Sequence, residues 1–361
     1  MGYKKFIAAV ASVALLSLLV FASSGFISEA KTAAAGQYAS YRGLSAAQAQ
    51  QKISASLPGI VCWGDSITEG YEGGGSTWPL RVSKRMEAEL MAPLRESLQY
   101  PGLIAPPVIN MGIAGETTLE IAGRNGAIPY LVDERVTIPG GRGSRVDISF
   151  SSAYKGEMVQ PLELGDAGIR FVVINGVRGR LLRWWDRPSW RSRYIFERSE
   201  PGAAVTIEPG TPIMTEACAQ YGDYVMVIMM GANGGYDSSE ELVLQYQAML
   251  QHQSIEKDRY VVVGMPLIDA DLAKWRRDEA AMKKAFGEHY VSYREWLIEN
   301  GLQRAGITPT AADKERMKKG LIPLALLQPD EIHFTGTGYS LLGDMVYEKM
   351  DELGYFDGLK N

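Results

Sequence analysis

From about residue 59 onward, short apolar runs alternate with longer stretches in which apolar residues recur at helical spacing. The runs are Gly59–Trp63, Pro107–Gly112, Tyr224–Met230 and Arg259–Gly264. Each is a mostly continuous apolar block rather than an in-out alternation, the pattern of a parallel strand covered on both faces. Between and after them, helical periodicity predicts helices at about 78–97, 238–253 and 270–286, with a last one from about Thr337 to Leu353. Strands and helices taking turns in this way predict an α/β domain built on a parallel sheet.

The stretch from about 126 to 215 breaks that rhythm. Its apolar runs are Val136–Pro139, Val146–Phe150, Ile169–Asn175, Tyr194–Arg198 and Ala203–Glu208. Turn signals separate them, among them Pro139-Gly140-Gly141, Asn175-Gly176 and Pro209-Gly210. Short strands with turn chemistry and no helical period predict an all-β unit over 126–221, inserted between two α/β segments, 59–125 and 222–361. Residues 31–58, rich in Ala, Ser and Gln, read as a linker or a peripheral helix.

Residues 1–30 have a different pattern again. Lys4 and Lys5 precede the uncharged, largely apolar run Phe6–Phe21, and small residues follow at Ala22-Ser23-Ser24-Gly25. That three-part order predicts a secretory signal peptide. The uncharged stretch continues to Ser28, so an uncleaved N-terminal anchor is the alternative. Either way the expected location is outside the cytoplasm, secreted or held at the outer face of the membrane. No cysteine lies near this segment, which excludes a lipid-modified N-terminal cysteine.

Composition narrows the function classes. Of 361 residues 46% are apolar and 22% charged, ordinary values for a folded globular chain and unlike a disordered or polytopic membrane protein. The net charge of −5 argues against a general nucleic-acid binder, whose affinity comes from Lys and Arg on phosphates. The histidines are His252, His289 and His333, and the cysteines are Cys62 and Cys218. No zinc-finger spacing and no H-E-x-x-H is present, so neither metal nor cofactor is expected. Cys62 lies inside a strand-like run, and two free thiols are the expectation.

Four short blocks carry candidate chemistry. Gly64-Asp65-Ser66-Ile67-Thr68-Glu69-Gly70 directly follows the first strand, at the strand end where parallel α/β sheets bind ligands. Asp330-Glu331-Ile332-His333 precedes the last helix. A serine hydroxyl is a weak nucleophile that needs a base, and a carboxylate is wanted to orient that base. Asp and His three positions apart supply both from one loop. Asn110-Met111-Gly112-Ile113-Ala114-Gly115 and Gly231-Ala232-Asn233 end two further strands. They offer backbone N–H groups and a side-chain amide, the donors that a developing oxyanion requires. Taken singly, each block also suits a plain turn, helix cap or strand end.

Together, and in this order, the blocks resemble the SGNH (GDSL-type) hydrolase family over about residues 59–125 and 222–355. The resemblance implies a doubly wound, flavodoxin-like parallel sheet. It implies Ser66 as nucleophile, His333 as base and Asp330 as its orienting carboxylate. It also implies an oxyanion hole from the Ser66 N–H, the Gly115 N–H and the Asn233 side chain. One departure is visible: the family's third block usually reads Gly-x-Asn-Asp, whereas Gly234 follows Asn233 here, which bears on the rigidity of that loop.

The leading functional expectation is a secreted serine esterase acting on carboxylic esters, with small acyl groups on a carbohydrate or cell-wall glycan as substrate. The alternatives are an acyltransferase using the same triad, a lipid esterase and an inactive glycan-binding protein. Within the β-rich unit, Arg178 to Arg193 holds six arginines with Trp184, Trp185 and Trp190 against one acid, Asp186. Indole faces stack on sugar rings and guanidinium forks match anions. Trp184, Trp185, Arg187 and Trp190 are therefore candidate contacts to an anionic glycan or wall polymer; a solvated hairpin whose tryptophans pack on the β unit is the competing reading.

Overall fold

The computed structural model describes residues 38–162, 165, 169–186, 191–252, 258–265 and 272–360. The expected signal or anchor at 1–30 therefore lies outside the described residues, as do Arg187 and Trp190. Among the described residues no helix is long and apolar enough to cross a membrane.

The chain enters through helix α1 (Ala46–Ser56), closed at its start by a capping box in which Ser45 and Gln48 bond reciprocally. Strand β1 (Ile60–Gly64), the short helix α2 (Ser66–Glu69) and α3 (Trp78–Met86) follow. The last runs on through a π-turn, Glu87–Met91, into a further helical segment, Ala92–Leu98. Strand β2 (Val108–Gly112) and helix α4 (Thr118–Asn125) complete the first part.

Next come β3 (Tyr130–Val132), β4 (Val136–Ile138), β5 (Arg145–Ile148), β6 (Phe150–Ser152) and β7 (Phe171–Ile174). They are followed by β8 (Val177–Asp186), β9 (Arg191–Arg198), β10 (Val205–Ile207) and β11 (Pro212–Thr215). Helix α5 (Glu216–Gln220) leads to β12 (Val225–Met229), α6 (Ser239–His252), β13 (Tyr260–Val263), α7 (Leu272–Phe286), β14 (Tyr290–Val291) and α8 (Gly336–Glu352).

Strands β14-β13-β12-β1-β2 form one parallel sheet in that order. The order reverses beside β1, and ligands in open α/β sheets bind at the carboxyl ends of the strands where that happens. Register keeps these ends level, because Gly64 of β1 faces Met229 of β12 on one side and Gly112 of β2 on the other. Every residue of β1 and β12 is buried, as continuous apolar runs require. Alternate residues face opposite layers: Cys62 and Val227 pack with Trp78, Val82 and Val346 of α3 and α8, while Trp63 and Ile228 pack with Ile121, Leu242 and Met249 of α4 and α6.

Strands β5-β9-β8-β7-β11-β3-β6 make a seven-stranded antiparallel sheet, and β10 pairs with β4. The buried side of this β-rich region does not have a core to itself. Tyr130, Ile174 and Phe196 belong to the same apolar cluster as Trp63, Met226 and Ile228 of the parallel sheet. The β-rich segment is thus packed onto the second face of the parallel sheet.

Candidate active site

Asp65 directly follows β1 and caps α2, its carboxylate accepting from the Ile67 N–H at 3.0 Å. The cap turns the chain so that Ser66 opens a four-residue helix at the carboxyl edge of the sheet. That helix sits close on β2: a Cβ at Gly112 would lie 2.1 Å from the backbone nitrogen of Glu69, so only glycine fits there.

His333 arrives from the other end of the sequence, on a loop that is itself tied down. Leu327 and Phe334 bridge across it, the Gln328 N–H donates to the His333 carbonyl at 2.8 Å, and Phe334 is fully buried. Asp330 folds the turn by accepting from the Ile332 and His333 N–H groups, at 2.9 and 3.0 Å. Its other oxygen lies 2.6 Å from His333 Nδ1, and His333 Nε2 lies 2.8 Å from Ser66 Oγ. Burial works to raise the Asp330 carboxyl, but the bonds from His333 and Ile332 outweigh it and hold the group below the ordinary aspartate range. An ionised carboxylate only accepts, so Nδ1 carries the proton and Nε2 is left to receive the Ser66 hydroxyl hydrogen. The Tyr71 ring leans on His333 with centroids 4.8 Å apart.

Of the predicted residues, the structure brings Ser66, His333 and Asp330 into one hydrogen-bonded line. Gly115 and Asn233 follow β2 and β12, the two neighbours of β1. They are joined to each other: Asn233 Nδ2 donates to the carbonyl of Glu116 at 3.0 Å, just past Gly115, which holds a left-handed φ of 79°. The glycine after Asn233 does not leave the loop loose. Gly234 takes φ 79°, a conformation that a residue with a side chain rarely adopts, and its carbonyl accepts from the Thr118 N–H at 3.0 Å. The Gly235 carbonyl then accepts from Thr118 Oγ1 and Gln245 Nε2, at 2.9 and 2.8 Å.

Three positioning groups escaped the sequence reading. Glu69 accepts from the Ala114 N–H at 2.6 Å and so holds the loop that carries Gly115. Arg124, fully buried, bonds Glu116 Oε2 at 2.6 Å and the Met111 carbonyl at 2.8 Å. Glu116 is as deeply placed; burial pushes its carboxyl up to about 7, against the pull of Arg124. Asp65 is buried here as well, and desolvation raises it to about 6.

The other histidines are engaged elsewhere. His289 Nδ1 lies 3.1 Å from the Tyr260 carbonyl and its ring stacks on Tyr260 at 4.2 Å. His252 Nε2 is 3.0 Å from Cys218 Sγ. Cys62 and Cys218 are free thiols. Glu72, Asp330 and His333 each offer a ligand atom within 4.8 Å of the others. Both ring nitrogens of His333 are already bonded, so a cation there would have to displace a bond to Ser66 or Asp330.

In the β-rich region, Trp184 is exposed on β8. Trp185 lies on the same strand, opposite Ser192. Three of the arginines whose side chains are described are paired with acids. Arg178 pairs with Glu216 at 2.6 Å, Arg180 with Glu197, and Arg193 with Asp147. These acids come from β5, β9 and α5, so the short window Arg178–Arg193 does not contain them.

No protein-family model matches the chain. No curated protein matches it either. Among solved structures, one of a peptidoglycan O-acetylesterase is similar over 84% of this chain and 95% of that one, with 12% identity and a TM-score of 0.32.

Proposed function

We propose that this chain is a serine esterase of the SGNH type, acting on carboxylic esters through an acyl-enzyme. The observation that carries the reading is the line Ser66 Oγ, His333 Nε2, His333 Nδ1, Asp330 Oδ2, with bonds of 2.8 and 2.6 Å. The level ends of β12, β1 and β2 and the strand order, which is that of flavodoxin-like sheets, give it further support.

In this mechanism His333 Nε2 takes the Ser66 proton as Oγ attacks the ester carbonyl. Asp330 keeps the ring oriented and stabilises the imidazolium. Negative charge develops on the former carbonyl oxygen, and the N–H groups of Ser66 and Gly115 with the Asn233 amide are its donors. His333 then hands the proton to the leaving alcohol, and water, deprotonated by the same nitrogen, releases the acid.

The Lys4–Phe21 pattern supports an exported enzyme, and the proposed substrate is accordingly an ester met outside the cytoplasm, a small acyl group on a glycan. A series of p-nitrophenyl esters of rising chain length, assayed beside O-acetylated glycans, tests this, with Ser66→Ala as blank. Turnover should be greatest for acetyl and should vanish in the variant. A variant that keeps wild-type turnover would refute the nucleophile.

A further inference from the structure

The β-rich region contains a cleft of about 600 Å³, within the size range of ligand sites. Its rim carries the carboxylates of Asp133, Glu134 and Asp147 and the guanidinium groups of Arg135 and Arg193. Both arginines are held by carboxylates: Arg193 by Asp147, and Arg135 by the two oxygens of Glu208, at 2.9 and 2.7 Å. Acids outnumber bases around the opening, so the cleft is unsuited to a polyanion. It suits hydroxyl groups, which donate to carboxylates and accept from guanidinium forks.

Apolar surface adjoins these polar groups. Met158, in the cleft wall, is 77% exposed. Trp184 is 62% exposed and lies directly across from Arg193 in the β8–β9 ladder, so both side chains leave the same face of the sheet. An exposed indole beside a row of hydroxyl-binding groups is what the faces and edges of sugar rings require.

The wall of the cleft also reaches toward Ser66. The N–H of Gln160, a lining residue, donates at 2.6 Å to Glu120 of α4, the helix that starts just after Gly115 and Glu116.

We propose that the cleft, with Trp184 beside it, binds a neutral, hydroxyl-rich glycan chain and presents it along the sheet edge that bears Ser66. The presentation rests on the esterase reading above; the binding does not.

Calorimetric titration of the full chain tests the binding. The probes are neutral hexasaccharides of β-1,4-linked N-acetylglucosamine and of β-1,4-linked xylose, with heparin as the polyanion. At least one hexasaccharide should bind and heparin should not compete. Trp184→Ala with Glu134→Gln, both at exposed positions, should weaken that binding about tenfold or more. Met158→Ser should weaken it in the same direction, and circular dichroism checks that each variant is folded. On an O-acetylated hexasaccharide the double variant should raise KM about tenfold while its p-nitrophenyl acetate turnover stays at the wild-type level.

No binding of either hexasaccharide, equal binding by wild type and folded variants, or displacement by heparin would overturn the proposal. Hexasaccharide binding that the variants lose, in a chain that turns over no ester at all, would uphold the cleft and sink the esterase.

Discussion

Asp65 shows what burying a charge beside a nucleophile does. Its carboxylate is needed where it is, because it caps α2 through the Ile67 N–H and also accepts from the Ala232 N–H. Yet desolvation raises it to about 6, since a charge is costly to hold away from water. The sign of the linkage follows. The folded chain favours protonated Asp65 more than the unfolded chain does, so this stabilisation is fully present below about pH 4 and is lost as pH rises through about 6. Its size is on the order of 3 kcal/mol. Asp65→Asn stays neutral and keeps an oxygen to accept from the Ile67 N–H. Urea unfolding at pH 5 and pH 8 should therefore show wild type losing more stability over that interval than the variant. Parallel losses would mean that Asp65 is not the group responsible. Asp330 behaves in the opposite way. Held below the ordinary aspartate range, it stays ionised, and stability linked to it disappears only as pH falls through that lowered value. Asp330→Asn should leave the fold intact and lower kcat by several orders of magnitude, because an amide no longer fixes the histidine tautomer. Near-normal kcat in that variant would remove Asp330 from the relay.

At the scale of elements, the site is a meeting of strand ends fastened by side chains. Asn233 and the Gly115 loop are linked through the Glu116 carbonyl, and Glu69 grips the same loop at the Ala114 N–H. If the two loops form the oxyanion hole, Asn233→Ala should cost about 10²–10³ in kcat with little change in KM. Glu69→Ala touches no reacting atom in this scheme. It should lower kcat about tenfold, and Glu69→Gln, which keeps an oxygen for the Ala114 N–H, should recover much of it. Steady-state kinetics on p-nitrophenyl acetate would check both, and a rise in KM alone would turn these residues into ground-state contacts. The elements themselves were unequally legible. Strands β1, β2, β12 and β13 stand out in sequence because parallel strands covered on both faces are continuous apolar runs. Helix α4 does not, since Gly123, Arg124 and Asn125 interrupt its short apolar stretch, although all eight of its residues are buried. Strand β14 has only Tyr290 and Val291, too few for any periodicity. The relay was legible because its three residues fall in two compact motifs. The arginine pairings were not, because each acid comes from another strand or helix and pairing between distant segments leaves no local trace.

For the whole molecule, the decisive feature is that one apolar cluster runs from the parallel sheet into the β-rich region. Trp63 and Met226 are buried in the same cluster as Tyr130, Phe150 and Phe196, whose rings close the β side. The opposite face of the parallel sheet has its own cluster with α3 and α8, where a Cβ at Gly343 would come 2.7 Å from the Trp78 carbonyl. An insert with an independent core could be cut out and could melt by itself. Here removal of residues 127–214 would strip cover from Trp63, Met111 and Ile121 and expose a contiguous apolar patch, a cause of aggregation. The excised chain should therefore be insoluble or associate, even though Ser66, Asp330 and His333 all remain in it. In the intact protein, shared packing should couple the two regions into one unfolding transition. Far-UV circular dichroism, which is dominated by the helices of the α/β layers, should then give the same urea midpoint as the exchange protection of amides in β8 and β9. Two separate midpoints, or a soluble and active excised chain, would show that the β-rich region is an independent domain after all.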